Sequence, residues 1–229
     1  MQGTLPPGKL IITADDWGYS GRYNAGIEEA LRSAALDAVS AMVTRPACEP
    51  GPLLESGVEV GLHLELPDPG RRRAASEARR QLEDFERAFG RPPAFVNGHR
   101  QCHAVLPAAT AIEDLVLELG VPLRAVGEDH RFRLQERGIP SVDRMIGRMH
   151  EREPALPNLI ADAIEEGALP PGVTEWVVHP GHSDPDSGSS YDRGREEDLA
   201  LLRRLADEET LAAGRCTHAE ALAASPADA

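Results

Sequence analysis

The chain is poor in cysteine, in lysine and in long apolar runs. Its three cysteines, Cys48, Cys102 and Cys216, are far apart and odd in number. That spacing holds no disulfide framework and no paired-thiol metal site, and it suits a reducing cytoplasm. Cys102 lies between His99 and His103, where a ligand or nucleophile role competes with that of a small packed residue. No apolar stretch reaches the roughly 20 residues that a bilayer span needs. The first nine residues lack the charged and apolar regions of a signal peptide, which disfavours secretion. Lys9 is the only lysine, and arginine carries nearly all the positive charge. Against 24 Lys and Arg stand 38 Asp and Glu, a net charge of −14. Such a balance argues against nucleic acid as a partner and disfavours an anionic membrane surface. No Gly-x-Gly-x-x-Gly follows a strand and no Gly-Lys-Ser/Thr phosphate loop is present, which argues against a dinucleotide fold.

What is present begins at Asp15 and Asp16. They directly follow the apolar run Leu10-Ile11-Ile12, with Gly18 close behind. Such a run reads as a buried parallel strand, and α/β folds place ligands at the carboxyl ends of their strands. Two adjacent carboxylates repel each other, and a divalent cation is the usual remedy. Three histidine-bearing strings add to the pair. In 58–66 His63 shares a face with Gly61 and Glu65 under period-two geometry. In 94–103 a short strand runs into His99 and His103. In 176–184 the strand Trp176-Val177-Val178 ends in His179-Pro180-Gly181-His182. A single histidine at such a place is more often structural. Four coincidences of strand end with Asp or His point to a site. Imidazole plus carboxylate is the ligand chemistry of zinc and related metals.

Between these strings strands and helices alternate. Strands are predicted at 9–14, 38–43, 58–66, 94–98, 121–126 and 173–178. Helices are predicted at 24–32, 49–56, 74–89, 108–119, 140–150, 156–167, 196–206 and 217–224. Ser20 is placed to cap the first helix. Pro67 to Gly70 breaks the pattern, and Arg71-Arg72-Arg73 reads as a solvated helix start. With about six or seven strands and no internal repeat, the fold expected is α/β, a single-domain deformed (β/α) barrel of parallel strands that need not reach eight. The domain is taken as residues 1–229, with 1–8 and 225–229 as flexible termini.

The strings also resemble a known family. Thr13-Ala14-Asp15-Asp16-Trp17-Gly18-Tyr19-Ser20, followed by Asn24-x-Gly26-Ile27-x-x-Ala30, resembles the opening of the YdjC-like carbohydrate deacetylases, which include chitooligosaccharide deacetylases. Gly61-Leu62-His63-Leu64, Asn97-Gly98-His99-Arg100-Gln101-Cys102-His103, Glu175-x-x-x-His179-Pro180-Gly181 and Tyr191-x-x-x-Arg195-Glu196 resemble its later motifs, in order, from residue 9 to about residue 205. The resemblance implies a deformed barrel. It implies that Asp16, His63 and His99 hold a divalent metal, that Asp15 is the catalytic base, and that His179 is the acid or a substrate-orienting partner. It implies Mg²⁺; the ligand types alone favour Zn²⁺, and both stay open. Asn97 stands where the family usually has Asp, which removes a charge near His99 and bears on ligand orientation.

The activity so implied is cytoplasmic, metal-assisted hydrolysis of an N-acetyl group on an amino sugar or oligosaccharide, with a small-molecule substrate and a homodimer left open. Further candidates for substrate contact are His103, which is also an alternative ligand to His99, together with Arg45, Trp17 and His182. Arg45 could instead pair with Asp15, and Trp17 and Tyr19 could stack on a sugar face. The rival of a different class is a catalytically silent module that binds a sugar or a protein on the same scaffold. Hydrolysis of another bond, such as a phosphoester, is weaker for want of a basic pocket motif.

Overall fold

The computed structural model describes residues 8–66, 70–148 and 153–223. The expected flexible termini, the break at Pro67 and the end of the 140–150 helix lie largely outside them. Six strands form one parallel sheet: β1 (Lys9–Trp17), β2 (Ala38–Ala41), β3 (Glu59–Leu64), β4 (Val96–Gly98), β5 (Arg144–Gly147) and β6 (Val173–Val178), in the order β4-β3-β2-β1-β6-β5. The helices are α1 (Gly21–Arg32), α2 (Gly51–Ser56), α3 (Arg71–Phe89), α4 (Ala108–Leu119), α5 (Gly127–Glu136), α6 (Asn158–Glu166), α7 (Asp192–Leu205), α8 (Glu209–Gly214) and α9 (His218–Ala223). This six-stranded parallel half-barrel is the α/β architecture expected, a deformed (β/α) barrel whose strands need not reach eight.

Strands β1 to β4 and β6 bury both of their faces, while β5 at the sheet edge is half-buried. Leu10, Ile12 and Ala14 of β1 pack outward among the helices, together with Val39, Val60, Leu62, Trp176 and Val178. Ile11 faces inward with Ala38, Phe95, Val142, Cys216 and Ala221. Alternation then sends Thr13 and Asp15 inward, and all of these are buried. Gly61 leaves room for Phe95, since a Cβ there would lie 2.5 Å from its ring. On the area scale each fully buried large apolar side chain stabilises by about 1.5–3 kcal/mol.

Local chemistry sets the boundaries. Ser20 caps α1, its hydroxyl oxygen accepting from the Arg22 and Tyr23 amides. Helices α3 and α4 end at Gly90 and Gly120, both left-handed. The three consecutive arginines form the first turn of α3 and do not precede it.

Two expectations are corrected. Residues 144–147, expected within a helix, form β5 beside β6. The four residues Arg-Met-Ile-Gly carry too little periodicity to separate strand from helix. Residues 121–126 form no full strand. Leu123 makes one parallel bridge to Val96, and its amide bonds the Pro140 carbonyl at 3.0 Å. This segment extends the curve of the sheet beyond β4 and brings Arg124 inside it. Helix α5 lies outside the helices expected from periodicity.

Candidate metal centre and catalytic cleft

The site begins with an irregularity in β1. Ala14 pairs with Val39 of β2, but Trp17 pairs with Ala41, so β1 spends one residue more than its neighbour. Asp16 takes up this bulge with φ +73°, a left-handed conformation that Asp tolerates better than most residues. In a regular strand Asp15 and Asp16 would face opposite sides. Here both line the same cleft. The bulge also reverses the side chain after it. Trp17 turns outward into the core, 1% exposed, with Nε1 donating to the Glu49 carbonyl at 3.0 Å. Trp17 therefore does not reach the cleft, which corrects its expected contact with a sugar. Gly18, at φ +98°, completes the turn, and its amide donates to Asn24 Oδ1 at 2.8 Å.

Asp16, His63 and His99 converge. Asp16 Oδ1 lies 3.2 Å from His63 Nε2 and 3.0 Å from His99 Nδ1. The three residues offer ligand atoms that all lie within 4.8 Å of one another. Asp16 Oδ2 accepts from Arg195 Nη2 at 2.5 Å. Arg195 stacks on Tyr23, 3.8 Å from the ring centroid, while its Nε and Nη1 are buried without a partner. Burial alone would raise the Asp16 carboxyl, but Arg195, His63 and His99 hold it well below the usual carboxylate range.

The donor set fits a divalent cation. Asp15 is ionised, so it only accepts, and Asn97 Nδ2 donates to its Oδ1 at 3.1 Å. That fixes the amide with its oxygen toward His63 Nδ1, 2.7 Å away, and Nδ1 must carry the hydrogen. In the neutral ring Nε2 then presents a lone pair to the Asp16 carboxylate. Two acceptors at that separation need a proton or a metal between them. One carboxylate and two imidazoles suit zinc and its neighbours, and leave further positions for solvent or substrate.

Asp15 sits beside this triad. Arg124 donates to it twice, Nη1 to Oδ2 at 2.6 Å and Nη2 to Oδ1 at 2.9 Å, and Ser40 Oγ donates to Oδ1 at 2.7 Å. Burial would raise this carboxyl; Arg124, followed by His63 and His179, overrides burial and holds it well below its ordinary range. Glu175 binds the other edge of Arg124, with Nη2 at 2.8 Å from Oε1. His179, at the carboxyl end of β6, lines the same cleft with its ring 5.1 Å from that of Tyr191. Its amide donates to Asp198 Oδ2 at 2.9 Å. Burial lowers the imidazole to about 4 against the pull of Asp16 and Asp15. The cleft encloses about 600 Å³ and opens past Tyr19, Arg100, Gln101, Ser189, Ser190 and Tyr191.

Several sequence candidates fall elsewhere. His103 is fully buried, and its Nε2 donates to the Arg124 carbonyl at 3.0 Å. Its ring therefore sits beneath the site and does not contact the cleft. Arg45 pairs with Glu65 at 2.6 Å and covers the Tyr19 ring at 4.7 Å, so Asp15 finds its cation in Arg124 instead. His182 is partly exposed and faces Glu29 at 3.5 Å, away from the cleft lining. Cys102 donates from Sγ to the Leu64 carbonyl, and burial pushes its thiol up to about 11, which disfavours a thiolate. Asn97 contacts His63 and Asp15, so the change from Asp acts on that pair more than on His99. Sequence reasoning missed Ser40 and Arg124 as partners of Asp15, and Glu175 as the second partner of Arg124. The available signal was weak: a lone Arg after the apolar run 121–123.

Comparison with known proteins places the chain among relatives. The family model described as YdjC-like protein matches residues 9–78 and 68–213. A carbohydrate deacetylase of Geobacillus stearothermophilus is 28% identical over 86% of this chain and 89% of its own. A chitooligosaccharide deacetylase of Serratia marcescens is 27% identical over 54% of this chain and 62% of its own. Among solved structures, an Enterococcus faecalis protein provisionally named a cellobiose-phosphate cleavage protein superposes with TM-score 0.79 at 19% identity, covering 94% of this chain and 99% of the other. A family 4 carbohydrate esterase of Streptomyces lividans, solved with acetate, superposes with TM-score 0.52 at 16% identity over 93% of each chain. These two likenesses speak to the fold alone.

Proposed function

This chain belongs to the YdjC-like protein family, and from that premise we propose that it is a carbohydrate deacetylase, hydrolysing an N-acetyl group on an amino sugar or its oligosaccharide. The observation that carries this reading is the convergence of Asp16, His63 and His99, with Asp15 alongside in the same cleft. The relatives named as carbohydrate and chitooligosaccharide deacetylases support the substrate class.

Asp16, His63 and His99 would hold the divalent cation. When bound, such a cation supplies Lewis-acid polarisation of an amide carbonyl and makes a water easier to deprotonate. Asp15 is the general base, taking the proton of the attacking water. Arg124 keeps it ionised and fixed in direction, at the cost of low intrinsic basicity, so Asp15 depends on an acidified water. His179 meets substrate as the neutral imidazole, given the effect of burial on it. The proton it passes to the leaving amine is therefore the one that Asp15 takes from the attacking water. Tyr19 lines the cleft half-buried and offers an aromatic surface to a sugar, while Tyr191 lines it from a buried position against Arg148 and His179. Three free thiols fit a reducing compartment, which supports a cytoplasmic reaction. Among the described residues no helix is long and apolar enough to cross a membrane.

The test is acetate release from a panel of N-acetylated sugars and oligomers, with Mg²⁺, Zn²⁺ and other divalent ions supplied in turn. Metal-dependent acetate release supports the reading. Metal uptake and sugar binding without any acetate release would favour the silent binding module.

A further inference from the structure

Asn97 is fully buried on β4 and pairs in register with His63 on β3. Its amide makes two contacts of opposite sense. Nδ2 donates to Asp15 Oδ1 at 3.1 Å, and Oδ1 lies 2.7 Å from His63 Nδ1. Ser40 spends its one hydroxyl proton on Asp15 Oδ1 at 2.7 Å, so at 3.2 Å from His63 Nδ1 its oxygen can only accept. Both neighbours of Nδ1 are thus acceptors, and the hydrogen of the neutral ring is forced onto Nδ1. Nε2 is left bare, 3.2 Å from Asp16 Oδ1.

We propose that Asn97 is a positioning residue that locks His63 in the tautomer able to ligate a metal while tethering the base Asp15, so that one amide sets both halves of the site. The inference rests on the metal-centre reading above. A carboxylate at this position could accept from Nδ1–H but, when ionised, could not donate to Asp15. The amide does both, which gives the departure from the family's Asp a physical role. Partners of this kind behind a metal-bound imidazole typically govern metal affinity by about 10–100-fold.

The test is calorimetric titration of metal-free protein with Zn²⁺ and with Mg²⁺, on the wild type, N97A and N97D, with circular dichroism to verify folding. N97A should bind about 10–100-fold more weakly, whereas N97D, which keeps an acceptor for Nδ1–H, should stay close to wild type. Equal binding by N97A and wild type overturns the inference, and so does equal loss in N97A and N97D, the mark of a merely structural role. Wild type that takes up neither metal overturns the metal-centre reading and this inference with it. A second measurement needs no variant: long-range proton–nitrogen correlation spectra of the zinc-loaded wild type should show His63 protonated at Nδ1. A proton on Nε2 contradicts the lock.

Discussion

Arg124 grips Asp15 with two nitrogens, at 2.6 and 2.9 Å, while its other edge is held by Glu175. All three side chains are buried. One guanidinium therefore compensates two carboxylates in the interior of the sheet. Removing it deprives both charges of their guanidinium, a loss of about 3–5 kcal/mol for a broken buried pair. Arg124→Met should lower the unfolding free energy obtained from urea melts by that amount and abolish acetate release. Arg124→Lys supplies a point charge that cannot span both carboxylates, so it should be intermediate in both assays.

Asp15→Asn separates base chemistry from metal binding. Asp15 is not one of the three converging ligands. Elemental analysis should find the metal content of the variant equal to that of wild type, while turnover falls by about 100-fold or more. Full turnover by the variant would remove Asp15 as the base.

His218 makes stability depend on pH at a distance from the cleft. Its Nδ1 lies 2.7 Å from Glu59 Oε2 and its Nε2 3.7 Å from Glu175 Oε1, with the ring stacked on Phe95. Burial would lower its pKa, but Glu175 and Glu59 raise it from 6.5 to about 8. A raised imidazole stabilises the fold fully below pH 6.5 and loses that contribution as pH climbs through about 8. The contribution is about 2 kcal/mol. Urea midpoints measured from pH 6 to pH 9 should fall across that window, and His218→Asn should flatten the fall.

Gly26 lies on α1 where the helix meets the loop carrying His179. A Cβ at this position would stand 2.4 Å from the Gly181 Cα, a backbone atom that cannot swing aside. Gly26→Ala should cost about 1–3 kcal/mol by overpacking. It should also reduce turnover by displacing His179, without lowering metal affinity. Thermal melts, acetate release and metal titration separate the three effects.

How much of this was legible in the sequence depends on range. Local signals were clear: the Ser20 cap, the apolar runs, and Asp or His at strand ends. Strand alternation put His63 on one face with Gly61, the face that the structure turns inward. The bulge at Asp16 was not legible, because one residue of register is set by pairing with β2. That single residue decides that Asp15 and Asp16 face the same cleft while Trp17 leaves it. The Arg124–Asp15 pair joins residues far apart in the chain, and no local pattern links them. Without that pair in view, Arg45 looked equally able to serve Asp15. His103 was equally out of reach: Arg100 and Gln101 adopt left-handed φ of 52° and 58°, which turns the chain between His99 and His103.

The most direct measurement is anomalous diffraction from crystals of this protein soaked in a zinc or manganese salt. The account predicts one strong peak at coordination distance from Asp16, His63 and His99 together, with Asp15 beside it and unligated. A map with no peak among those three side chains, or with the ion bound elsewhere while they point apart, would contradict it.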